Sequence, residues 1–300
     1  MTHRMDLDAY FERIGYTGPR TANLDTLSAI HLQHPRAIPF ENLNPLLRWP
    51  VHLDAPSLQQ KLVRDRRGGY CYEHNLLLSH VLRQLGFRVR WLAGRVLWNV
   101  PEGTVRARSH MLLLIDLDNR RYVADVGFGG GTPTAPLRLQ ADIEQSTPHE
   151  PFRLIASGEA FVMQAKIGDS WRPLYAFDLQ EQVLADYEVV NWYLCNNPSS
   201  HFVTGVFAAR PDHACRYALR GNELAVHHVN GITERRLLTS TRELRAALEE
   251  TFRVNLPVGP ELQAALERVT FPSSAAVPHG PAPGIHPARG THSSTSADSE

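Results

Sequence analysis

The hydrophobic period of this chain changes at Phe87, and the change divides the sequence into two kinds of structure. Before it, apolar residues recur at helical spacing. The cleanest case is Asn75 to Leu85, where Leu78, Val81, Leu82 and Leu85 share one face and Gly86 follows as a stop. Asp6 to Ile14, Asn23 to Gln33 and Ser57 to Val63 also read as helices. From Phe87 the period is two: Phe87, Val89, Trp91 and Ala93 alternate with Arg88, Arg90 and Leu92. SHMLLLIDL and RYVADVGFG then flank Asp118-Asn119, a pair suited to a tight turn. Phe152 to Ile155, Ala160 to Ile167 and Trp171 to Phe177 add strands, so the middle region reads as a β-barrel or curled sheet. Beyond Asn191 the texture mixes, with strands expected over Phe202 to Arg210 and Leu224 to His228, and helices over Thr241 to Thr251 and Gly259 to Val269. In residues 272–300, 14 of 29 are Pro, Gly or Ser, a composition that predicts a disordered tail.

Composition narrows the function classes. The 300 residues are 43% hydrophobic and 21% charged, enough for a real core. Lys and Arg total 31 against 31 Asp and Glu, which argues against non-specific binding to nucleic acid or to an anionic membrane. No apolar stretch approaches the roughly 20 residues of a membrane span, and MTHRMDLDAYFERIGY lacks a signal layout, so a cytoplasmic location is expected. Three widely spaced cysteines, Cys71, Cys195 and Cys215, fit neither a disulfide framework nor a zinc cluster; no metal is expected.

Cys71 is the residue with the most chemical promise. Arg67-Gly68-Gly69-Tyr70-Cys71 runs directly into the strongest helix, which puts the thiol near the first turn. Helix N-termini carry unpaired N–H groups and partial positive charge, which favour a thiolate and can bind an oxyanion. A buried packing cysteine is the competing reading, because free Cys is among the most buried residue types. A second pattern favours chemistry. A hairpin turning at Asp118-Asn119 sets His110 opposite Gly127 and makes Asp125 its diagonal neighbour on the same face, at about 7–8 Å between backbones. A shift of one residue would separate the two faces. Cys71, His110 and Asp125 thus form a nucleophile, base and orienting carboxylate, compatible with a thiol protease, a transglutaminase or an acyltransferase.

Seven blocks carry a resemblance: AYFERIGYTG (9–18), IPFENL (38–43), RGGYCYEHN (67–75), GRVLWN (94–99), ARSHMLLLI (107–115), ADVGFGGGTPTAPLRL (124–139) and NNPSSHFVTGVFAAR (196–210). In this order they resemble the arylamine N-acetyltransferases over about residues 6–270. The resemblance implies an α+β fold with a cysteine-protease-like core. Its parts would be a helical bundle (1–88) carrying the nucleophile, a β-barrel (89–190) carrying His and Asp, and an α/β lid (191–271). It implies ping-pong transfer of acetyl from acetyl-CoA through a Cys71 thioester to an aromatic amine or hydrazine. Phe40, Val96, Phe128 and Phe202 match positions around the acceptor; Trp98 and the glycines Gly127, Gly129, Gly130 and Gly131 match positions near the coenzyme A arm.

Two departures from the family pattern stand out. Leu194-Cys195-Asn196-Asn197 replaces a Ser/Thr-rich run, and His74 stands where Leu is usual. Other readings of the same residues are an amide synthase releasing or cyclising a polyketide chain, a thiol hydrolase or transglutaminase, and a ligand-binding module with a structural Cys71. The sequence leaves a homo-oligomer open.

Overall fold

A computed structural model describes residues 4–270 apart from residue 102; the tail expected over 272–300 lies outside the described residues. The first segment is helical: α1 (Leu7–Ile14), α2 (Leu24–Ala37), a two-residue strand β1 (Phe40–Glu41), α3 (Leu43–Leu46), α4 (Ala55–Leu58) with a π-helical continuation over Gln59–Arg64, and α5 (Cys71–Gln84). Local signals set the ends. Asp6 accepts the Ala9 N–H at the start of α1, and Gly15 closes it at φ 69°. Asn23 accepts the Thr26 N–H at the start of α2. That helix runs four residues past Gln33 despite Pro35, which has no N–H to donate, and the Ile38 N–H still reaches the His34 carbonyl. Helix α5 begins at Cys71, four residues before the expected start, and Gly86 at φ 95° follows it.

The period-two region forms β2 (Arg88–Val96), β3 (Arg108–Leu117), β4 (Arg120–Ala124), β5 (Leu137–Arg138), β6 (Phe152–Ser157), β7 (Ala160–Ile167) and β8 (Ser170–Phe177). They make one sheet in the order β5-β4-β3-β2-β8-β7-β6. Bridges from Ala141 to Leu154 and from Gln145 to Phe152 bring its two edges together into a nearly closed barrel. Asp118 at φ 48° and Asn119 at φ 57° form the left-handed two-residue turn that matches strand twist. The register that follows pairs Leu117 with Arg120 and Leu113 with Ala124, as the turn predicts.

Strand β3 is apolar from Met111 to Ile115 because both of its faces are covered there. Met111, Leu113, Ile115 and Leu117 pack against the helices together with Val89, Trp91 and Ala93, whereas Leu112 and Leu114 fill the barrel interior. His110 shares the interior-facing parity of Leu112.

Helix α6 (Leu184–Asn196) crosses residue 190, and α7 (His201–Thr204) is a single turn. The strand expected from Phe202 therefore starts later, as β9 (Phe207–Pro211). Asn42 holds the preceding turn by donating to the Phe202 and Gly205 carbonyls and accepting the Phe207 N–H. The rest comprises β10 (Cys215–Arg220), β11 (Glu223–His228), β12 (Thr233–Leu237), α8 (Thr241–Ala246) with a π turn over Ala247–Thr251, and α9 (Pro260–Thr270). The second sheet runs β1-β9-β10-β11-β12, so β1 ties the N-terminal segment into it. Leu219, Leu244, Leu248, Phe252 and Leu266 form its core. Among the described residues no helix is long and apolar enough to cross a membrane.

One bond across the helix–barrel seam offers a test. The Trp91 indole N–H donates to the Ser79 hydroxyl at 2.6 Å, with both groups buried. Ser79→Ala strands that N–H, and a loss of about 1–3 kcal/mol is expected. Urea unfolding would show a lower midpoint with an unchanged slope.

Candidate active site

Cys71 is the first residue of α5 and is 5% exposed. Its approach depends on the two glycines. A Cβ on Gly68 would overlap the Pro39 carbonyl, and one on Gly69 would lie 2.7 Å from a Glu73 carboxylate oxygen. Close backbone contact follows: Gly69 N–H donates to Pro39 O at 3.3 Å, and Glu41 N–H donates to Gly69 O at 2.8 Å. Tyr70 remains extended, and its N–H donates to Glu73 at 3.1 Å, which satisfies one free donor of the helix start. The other Glu73 oxygen accepts from Lys61 at 2.6 Å.

His110 and Asp125 come from the barrel. His110 Nε2 lies 2.7 Å from Asp125 Oδ2. Asp125 sits one residue past the end of β4, and its Oδ1 accepts from Asn75 Nδ2 at 3.1 Å and from Gly127 N–H at 2.9 Å. Burial opposes its charge, but His110 and these donors outweigh it and hold the carboxyl below its usual range. Burial also opposes the imidazolium; the Asp125 charge and hydrogen bond, with a smaller contribution from Cys71, push His110 up to about 10. With Nε2 taken by Asp125, Nδ1 is left for the Cys71 side. The thiol itself donates to the Ser109 carbonyl at 3.7 Å. The three residues expected from the sequence therefore meet at one place.

The residues expected at the rim divide into groups. The Phe128 ring stands edge-on to His110 with centroids 5.0 Å apart. Phe40 packs against Phe202 at 6.2 Å, and Phe202 against Tyr70 at 5.4 Å, on the helical side. Gly129 turns at φ 68°, where a Cβ would sit 3.7 Å from the Phe40 ring, and starts the short 3-10 turn Gly129–Gly131. Gly127 faces inward instead: a Cβ there would lie 2.8 Å from Cys71 Cα. Trp98 is 2% exposed in the barrel core, under Arg172, and half-buried Val96 packs against the same cluster.

Of the two departures from the family pattern, His74 is fully enclosed, whereas the Leu194–Asn197 run is buried only in its first half and exposes Asn196. His74 is buried between Pro39 O at 3.1 Å and His34 at 3.0 Å. Leu194 and Cys195 are buried too, and Cys195 Sγ lies 3.8 Å from the Tyr70 hydroxyl, which donates to Asn191.

Asn75 was absent from the sequence-derived set, although it lies one helical turn after Cys71 and so on the same face. It donates to both Asp125 and the Met111 carbonyl and accepts the Val126 N–H at 3.2 Å. Tyr175, whose ring lies 4.7 Å from His110, carried no local signal at all.

A thiol on the first turn of a bundle helix, set against an imidazole and a carboxylate from a barrel, defines an α+β protein with a cysteine-protease-like core. Known proteins narrow the class. Residues 23–260 match the family model described as N-acetyltransferase. The arylamine N-acetyltransferase of Mycolicibacterium smegmatis is 44% identical over 271 residues, covering 88% of this chain and 98% of that protein. That of Escherichia coli K12 is 42% identical, covering 82% and 88%. The solved structure of Mycobacterium marinum arylamine N-acetyltransferase in complex with CoA superposes with a TM-score of 0.86 at 42% identity, over 89% of this chain and all of that one. The chain belongs to the arylamine N-acetyltransferase family.

The buried pair links stability to pH. An unfolded imidazole loses its proton near 6.5, whereas folded His110 keeps it to about 10, so the folded state binds more protons in between. The His110 contribution is full below pH 6.5 and is lost as the pH rises toward 10. Asp125 acts at the other end: its contribution is present above the unfolded carboxyl range and is lost as acid protonates it. Urea midpoints are expected to fall between pH 6.5 and 10 in the wild type, and to fall less in His110→Gln.

Proposed function

We propose that this chain transfers acetyl from acetyl-CoA to arylamines or arylhydrazines in two half-reactions through a thioester on Cys71. The observation that carries the reading is the 2.7 Å contact of His110 with Asp125, which leaves the other ring nitrogen to the thiol. Two relatives support the substrates: the 44%-identical protein is named arylamine N-acetyltransferase, and the M. marinum structure holds CoA.

In the first half-reaction the proton of the Cys71–His110 pair is held by His110 as the imidazolium, and the Cys71 sulfur attacks the acetyl-CoA carbonyl. The tetrahedral intermediate collapses to acetyl-Cys71, and the departing coenzyme A sulfur takes the proton from His110. In the second, the amine attacks the Cys71 thioester, His110 accepts the proton lost by nitrogen, and the Cys71 thiolate leaves. Arylamines are weak bases, largely neutral near pH 7, so their nitrogen is ready to attack. The first N–H groups of α5, that of Cys71 among them, have no partner within the helix and point toward the oxyanion. Phe40, Phe128 and Phe202 form flat walls for the acceptor ring, with Val96 at the barrel end. Gly129, beside the Phe40 ring, and Gly130 after it leave room for the coenzyme A arm, and Trp98 supports that side from the barrel core.

Intact-mass analysis after mixing with acetyl-CoA is expected to show one acetyl adduct, absent from Cys71→Ala. An adduct retained by that variant overturns the reading. Folded Asp125→Asn is expected to transfer acetyl about a thousand-fold more slowly, because the imidazole loses the acceptor that sets its tautomer. A panel of acyl-CoA donors against arylamines and arylhydrazines tests the substrate class directly, and lack of turnover with every short acyl-CoA excludes it.

A further inference from the structure

Past the end of β4 the chain presents three successive buried N–H groups that no strand partner takes. The Gly127 N–H turns back to the Asp125 carboxylate, and the Val126 N–H goes to Asn75. The N–H of Asp125 itself donates to His31 Nε2 at 3.0 Å, across 94 residues of sequence. His31 lies on α2, is fully buried, and belongs to no motif tied to the reaction.

We infer that His31 is a positioning residue: its Nε2 lone pair holds the Asp125 backbone so that the carboxylate meets His110. An imidazole nitrogen that accepts carries no proton, so the neutral ring must hold its proton on Nδ1. Nδ1 makes no hydrogen bond among the described residues. Burial, partly opposed by Asp125, pushes His31 down to about 4, which keeps the ring neutral. A side chain kept for packing alone would do better without an orphaned donor; the orphan is explained if the acceptor on the other side of the ring is what the site requires. His110, Asn75 and the Gly127 N–H orient the Asp125 carboxylate, but only His31 accepts from its peptide N–H.

The test separates acceptor from bulk. His31→Gln keeps an acceptor, Oε1, near the same place, whereas His31→Leu keeps only apolar volume. The readout is the rate of Cys71 alkylation by iodoacetamide against pH, with thermal melts confirming that each variant is folded. This needs no acetyl-CoA, so its outcome is independent of the proposed acyl transfer. In His31→Leu the neutral-pH rate is expected to fall about tenfold or more, with the profile moved to higher pH, since a small misplacement in a preorganised site is costly. His31→Gln is expected to stay within about threefold of the wild type. A Leu variant matching the wild type, or equal losses in both variants, overturns the inference. Should the Leu variant not fold, nitrogen NMR of the wild type decides. Neutral His31 protonated on Nδ1 agrees with the inference, and the Nε2–H tautomer overturns it.

Discussion

Gly127 has room for a hydrogen and little else, and the whole site depends on that gap. Its Cα faces the Cys71 backbone so closely that a methyl group would lie 2.8 Å from Cys71 Cα and 2.9 Å from the Asn75 amide. The contact sets how near the first turn of α5 comes to the end of β4. Asn75 then spans the seam, reaching Asp125, Val126 and the Met111 carbonyl from one side chain. A wider gap would break all three of these bonds. The glycine-rich stretch after Asp125 thus has two functions: Gly127 packs helix against barrel, and Gly129 turns the chain past Phe40. On the other side of Cys71, Gly68 and Gly69 play the same steric part against Pro39 and Glu73.

Charge in this interior is decided by partners, because burial is shared. His31, His34, His74 and His110 are all buried, and burial disfavours the cation in each. Only His110 has a carboxylate at 2.7 Å, and it alone is pushed up. His34 and His74 stay neutral in an ordered chain whose tautomers follow from its end. Pro39 O can only accept, so His74 donates from Nε2 and accepts at Nδ1; His34 then donates from Nε2 and accepts the Tyr10 hydroxyl proton. Pro39 O also receives the Gly69 N–H, so this chain secures the backbone that leads into Cys71.

The legible part of the fold was the part written in local chemistry. Asp118 and Asn119 tolerate left-handed backbone, and the turn they form fixed the β3–β4 register that brings His110 and Asp125 together. Period-two alternation from Phe87 gave the face of β2 that meets the helices. What escaped was nonlocal. The turn at His201–Thr204 looked extended because Phe202, Val203, Val206 and Phe207 favour strands, but Asn42, distant in sequence, folds their backbone otherwise. Strand β1 is two residues long, with partners in β9 and at Gly69, and α6 carries exposed Val189, Trp192 and Tyr193 that blur its helical stripe. His31 lacked any signal, since its partner lies 94 residues away.

The proposed acyl-thioester relay would have to favour one acceptor over water, and the aromatic rings near His110 bear on that choice. Phe128 and Tyr175 flank His110 on the barrel side, with centroids 5.0 and 4.7 Å away; Phe40, Phe202 and Tyr70 face them from the helical side. Such a lining offers water few partners, because an ordered water needs two or more, and the nearby carboxylate already accepts from His110, Asn75 and Gly127. An aromatic amine brings its own apolar face and a single nitrogen to direct at the thioester carbonyl. In the proposed transfer, the walls that disfavour water would be the same walls that stack with the acceptor. Under that reading, selectivity for amine over hydrolysis would need no separate device beyond these rings.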